Sequence, residues 1–123
     1  EIFDCVGVAR YVFVQVAGSN ALNLCEVRVY GSVYGSVYTG RYSTEIGYAI
    51  SQRMPTAQSS TPFNSGISSK AVDGGLSGVY EADTCTHTGN QTAGTQEEPS
   101  WWRVDLEAAT FVWAVEVYDR TDD

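Results

Sequence analysis

Alternation with a period of two is the strongest constraint in this sequence. From Arg10 to Ala17, Tyr11, Phe13 and Gln15 fall on one side and Val12, Val14 and Val16 on the other. Asn23 to Tyr30 repeats the pattern, setting Leu24, Glu26, Arg28 and Tyr30 against Cys25, Val27 and Val29. Trp101-Trp102-Arg103-Val104-Asp105-Leu106 alternates again, and Phe111 to Tyr118 is a long β-branched and aromatic run. Successive side chains of a strand point to opposite faces, so these runs predict strands. One of the adjacent tryptophans must then face a core and the other away from it. Gly18-Ser19-Asn20 reads as a turn and predicts a hairpin between the first two runs, which needs a partner sheet to be stable. Pro55 and Pro62 confine any strand near them to sheet edges. Few helix signals and many turns predict an all-β fold, with a β-sandwich as its architecture.

A chain of 123 residues suits one domain with a real core, and 43% hydrophobic residues argue against wholesale disorder. The net charge of −8 repels nucleic acid and anionic membrane surfaces, and no basic patch interrupts it. No apolar run approaches the roughly 20 residues of a membrane span, so no membrane insertion is expected. The three cysteines form no Cys-x-x-Cys pair, which argues against zinc and thioredoxin-type chemistry. Asn90-Gln91-Thr92 is a glycosylation sequon. Scattered cysteines with that sequon predict a secreted, extracellular protein. An odd cysteine count leaves one thiol free or bonded outside the chain. Gly-Ser-Val-Tyr occurs twice from Gly31 to Tyr38, and residues 32 to 45 read as a linker between two pieces.

Chemistry concentrates between Ala71 and Thr88. Asp73 precedes Gly74 and Gly75, whose freedom to turn can aim consecutive carbonyls at one point beside a carboxylate. That is how a hard-cation site for calcium is built, although no EF-hand spacing is present. His87, the only histidine, follows in Thr84-Cys85-Thr86-His87-Thr88 and offers a ring nitrogen to a neutral hydroxyl. Read by itself the stretch is equally an ordinary loop with a surface histidine. No serine has a base partner beyond this one histidine, and no carboxylate pair stands out, so no enzyme is expected.

The same residues carry a family resemblance. Ala71-Val72-Asp73-Gly74, Cys85-Thr86-His87-Thr88, Trp101 to Leu106 and Val115-Glu116-Val117-Tyr118-Asp119-Arg120-Thr121-Asp122 resemble the first two thirds of an F-type lectin (fucolectin) domain. Phe3-Asp4-Cys5 and Arg10-Tyr11-Val12 through Leu24 to Gly31 resemble its last third. The order is rotated, with residues 1–31 matching the family's C-terminal strands and 46–123 its N-terminal part. The resemblance implies a jelly-roll β-sandwich that binds fucosylated glycans. His87 and Arg120 would hydrogen-bond α-L-fucose, Asp122 would orient the arginine and Tyr80 would wall the sugar's methyl group. Calcium would be held by Asp73, Glu26, Thr84 and the carbonyls of Lys70, Gly75 and Cys25, with a disulfide joining Cys25 to Cys85.

Beyond the position of Asp123 the family continues with a vicinal cysteine pair, a second basic residue and a hairpin, none of which is in this sequence. The sandwich is therefore expected to be incomplete, or completed by a neighbouring domain or a copy of the chain. A circular permutation, a cut across tandem domains, and strand donation between subunits remain alternatives. The competing reading is a filament or coat subunit that has lost sugar binding.

Overall fold

A computed structural model of the chain describes residues 1–18, 20–33, 49–62, 65–89 and 99–122. Four strands form one antiparallel sheet: β1 (Ile2–Gln15), β2 (Leu24–Val33), β3 (Thr56–Gln58) and β4 (Trp101–Asp119). The only other regular elements among the described residues are short 3-10 turns, including Ser68–Val72 and Tyr80–Ala82. The protein is all-β, as its alternation predicts.

The hairpin expected between β1 and β2 does not form, because β4 lies between them and runs antiparallel to both. The 19 residues of β4 pair with both neighbours at once, at eleven positions of β1 and nine of β2. The connection between β1 and β2 is drawn away instead. Val16 donates to Ser100 O at 3.1 Å, and Leu22 exchanges hydrogen bonds with Thr88. β2 ends at Val33, two residues inside the stretch read as a linker, and residues 34–45 lie outside the described ones. Trp101–Leu106 and the run ending at Asp119 are one strand, interrupted where Ala9 pairs with Thr110 but Tyr11 with Asp105. Glu107 takes a left-handed φ of 66° there. Asp105 holds the kink by accepting from Glu107 N at 2.8 Å and from Arg10 Nε and Nη2 at 2.8 and 3.1 Å. Those bonds to the guanidinium hold the Asp105 carboxyl below its usual range.

The core lies on one face of the sheet. Val12, Val27, Val29, Trp102, Val104 and Val117 project into it and are covered by Ala71 and Val72 of the first 3-10 turn. Trp102 is fully buried and its Nε1 donates to Ser68 O at 2.9 Å, while Trp101 faces the other way and packs on Phe13. An indole buried with its N–H satisfied contributes both area and a fixed orientation. β3 begins directly after Pro55 and is three residues long, in keeping with proline's restriction to edges. The outer edge of β2 is also occupied. Ile50 N donates to Val29 O at 2.9 Å, and Ser51 Oγ accepts from Val29 N and donates to Val27 O. Trp102→Ala removes the largest buried side chain and is expected to cost about 3–5 kcal/mol of stability, read as a lower midpoint in urea unfolding.

Candidate functional site

The sequence Cys85-Thr86-His87-Thr88 is held as an extended segment against residues 22–25. Thr86 N donates to Leu24 O at 2.7 Å and Thr88 N to Leu22 O at 3.1 Å. The two threonine hydroxyls accept the return bonds, from Leu24 N at 3.0 Å and Leu22 N at 2.8 Å. Both threonines are buried, so each β-branched side chain does the work of a backbone carbonyl in this short ladder. Alternation then turns His87 the other way, where its N–H donates to Gly66 O at 2.8 Å. Gly66 has φ 68°, and a Cβ there would come within 2.6 Å of His87 N. The Gln58 amide nitrogen lies 3.1 Å from both Gly66 O and His87 O, clamping the pair from outside.

The disulfide joins Cys25 to Cys85 and locks the same two segments covalently. Cys5 is the free thiol and is exposed. The odd cysteine count is thereby accounted for within the chain.

His87 is not among the residues lining the hollow that holds Arg120 and Asp122, but it touches one that is, Asn23, which the sequence did not mark. Its Nδ1 is hydrogen-bonded to Asn23 Oδ1, so with the carboxamide oxygen facing the ring Nδ1 is the donor. Asn23 in turn lines an open hollow of about 360 Å³ together with Val16, Ala21, Leu22, Asp119, Arg120 and Asp122. Arg120 Nε donates to Asp122 Oδ1 at 2.8 Å. The hollow thus combines a guanidinium paired to a carboxylate, a carboxamide touching the imidazole, and a small apolar wall. Tyr80 sits in the second 3-10 turn, at the end of a loop pinned by Thr121 N donating to Gly78 O at 2.7 Å. Asn90 lies outside the described residues.

On the far side of the disulfide the proposed metal residues are distributed as follows. Glu26 is fully buried, with Gly74 N donating to its Oε2 at 3.2 Å and the Gln52 amide donating to Oε1. Burial pushes its carboxyl above the usual range, Gln52 and Gly74 pull it back, and nearby Asp73 pushes it up again. Asp73 Oδ1 accepts from Gly75 N at 2.8 Å, and an added Cβ on Gly75 would meet both Asp73 Oδ1 and Thr84 within about 3.2 Å. Thr84 Oγ1 donates to Ser77 O at 2.7 Å. Asp73, Gly75 and Thr84 are therefore neighbours, and Glu26 joins them at Gly74. The Lys70 side chain is drawn to Asp83. Among the described residues no three His, Cys, Asp or Glu side chains form a metal-binding group, since the carboxylates here are two.

In comparisons with known proteins, no family model, no curated protein and no solved structure matches this chain.

Asn23, Gln52, Gln58 and Gly66 were invisible to motif reading because each acts across a sequence gap of 8 to 64 residues. Three outcomes are expected from this geometry. Under native, non-reducing conditions a thiol reagent should modify Cys5 alone, read by peptide mass spectrometry. Replacing both Cys25 and Cys85 by serine opens a loop of 60 residues and should cost about 4 kcal/mol of stability. Gly66→Ala should cost more than about 1 kcal/mol, because both its φ and the contact with His87 oppose a side chain, and a lower melting temperature checks it.

Proposed function

We propose that this chain is a non-catalytic, calcium-stabilised carbohydrate-binding module of the F-type lectin kind, binding fucosylated glycans in a secreted tandem or polymeric protein. The observation that carries the reading is the Asn23 bridge. It links the ring of His87 to the hollow holding Arg120 and Asp122, although His87 and Arg120 stand 33 positions apart. A guanidinium oriented by a carboxylate presents donors in a fixed plane, which suits the ring oxygen and an axial hydroxyl of a sugar. An imidazole and a carboxamide add hydroxyl partners without charge. The resemblance to the F-type lectins described above supports fucose over other sugars, and it supports a jelly-roll sandwich completed by a neighbouring domain or copy.

Calcium fits the donor set on the opposite side of the disulfide. Glu26, Asp73 and the Thr84 hydroxyl are hard oxygen donors, with carbonyls of Lys70, Gly75 and Cys25 alongside in sequence. The hydrogen bonds to the Glu26 carboxylate come from neutral amides, those of Gln52 and Gly74, with the Arg28 charge acting on it from farther away. Burying a carboxylate in that way is costly, and a divalent cation would offset the cost. Bound there, calcium would tie the Asp73 loop to β2 and stiffen the segment bearing His87.

The disulfide and the absence of a helix long and apolar enough to cross a membrane, among the described residues, are compatible with an extracellular setting. Titration with fucose, followed by calorimetry with calcium and then with a chelator, tests the whole reading. Binding should require calcium, and Arg120→Ala should weaken it about tenfold or more, as expected for a lost charge-assisted hydrogen bond. A protein that gives no fucose-dependent heat with calcium present is instead a filament or coat subunit with a lectin-like sheet.

A further inference from the structure

β1 is the one long strand whose outer edge has no partner among the described residues. The order of the sheet is β1-β4-β2, and the outer edge of β2 is already capped by Ile50 and Ser51. β1 instead shows water a run of apolar side chains, Ile2, Val6, Val8 and Phe13, exposed by 64%, 73%, 54% and 53%. An open, apolar edge strand of 14 residues is a template for another strand.

We infer that two copies of this chain join edge to edge through β1, antiparallel about a two-fold axis near Gly7, to make one continuous sheet. The occupant follows from charge. At −8 overall, two copies repel unless their contact is specifically complementary. β1 carries Asp4 and Arg10 three residues to either side of Gly7. Antiparallel pairing about Gly7 therefore brings the Arg10 of one strand beside the Asp4 of the other, twice over. The irregularity between Asp4 and Gly7 shifts the count by a residue and leaves Arg10 between Phe3 and Asp4 of the opposite strand. Pairing centred on Asp4 or on Arg10 would oppose like charges instead. Arg10 already grips Asp105, so each contact becomes a carboxylate–guanidinium–carboxylate row.

Packing agrees with the same centre. Val6 and Val8 flank Gly7, so the axis places β-branched side chains of one copy against those of the other. A Cβ at Gly7 would meet nothing within 4 Å in its own chain, so no contact within the chain calls for glycine there. A glycine inside a strand is suited to close approach by another backbone. An isologous contact of this kind closes on itself, making a dimer rather than a fibre. The inference does not depend on the sugar reading, because no β1 residue belongs to that site.

Light scattering after size exclusion, on the 123-residue chain with reductant present, tests it over a concentration series. The mass should rise with concentration to twice that of the monomer. Val8→Lys and Val6→Lys each place a charge at the seam and should hold the mass at that of the monomer. Circular dichroism reports whether each is folded, and either alone suffices. Cys5→Ser should still dimerise. A wild-type chain that stays monomeric throughout, a dimer that both lysine variants leave intact, or growth into open polymers would each overturn the inference.

Discussion

Both edges of β4 are hydrogen-bonded, to β1 on one side and to β2 and β3 on the other, and that ladder places everything else. A strand paired on both sides has its backbone groups satisfied by strands alone, so its side chains are free to be sorted by face. The sorting is visible at Trp102, Val104, Val115 and Val117, all buried, and at Trp101 and Arg103 on the opposite side. Because β2 and β4 are antiparallel, the start of β2 lies beside the end of β4, with Leu24 opposite Asp119. That single register brings Asn23 to the hollow lined by Arg120 and Asp122.

Two ties of different chemistry hold the segment bearing His87 to the same place. One is the Cys25–Cys85 bond, which acts mainly by restricting the unfolded chain. The other is the pair of buried threonines, whose hydroxyls complete a short ladder with Leu22 and Leu24. The second gives direction as well as proximity, because a residue between two inward-facing threonines must point outward. His87 is that residue.

Glu26 is the costly element of this region. It lies next to Cys25 on the strand that carries the disulfide, and it is fully buried with hydrogen bonds from the Gln52 and Gly74 amides. A protein built for stability alone would place an apolar residue there. Its position beside Asp73 and Thr84 is what the proposal of a calcium site rests on.

Strand character over residues 10–15, 24–30 and 101–106 and the split roles of Trp101 and Trp102 were legible from alternation, since the pleat of a strand is a local property, whereas residues 2–9 of β1 and the short β3 were not. The loop at Asp73 and the segment at His87 were legible as unusual chemistry, and their proximity through Cys25 and Cys85 was suggested by family resemblance alone. The expected hairpin failed because a short turn says only that two strands can pair, whereas here β4 takes the pairing edge of each. Asn23, Gln58 and Gly66 carry no motif, and each matters through a partner distant in sequence. The sequence alone determined which residues alternate and where titratable groups cluster, because these depend on covalent order and local geometry. Tertiary structure alone decided that β4 separates β1 from β2, that Asn23 touches His87 and lines the hollow with Arg120, and that the outer edge of β1 is open among the described residues, because hydrogen-bond partners across a sheet are chosen by competition among all strands at once.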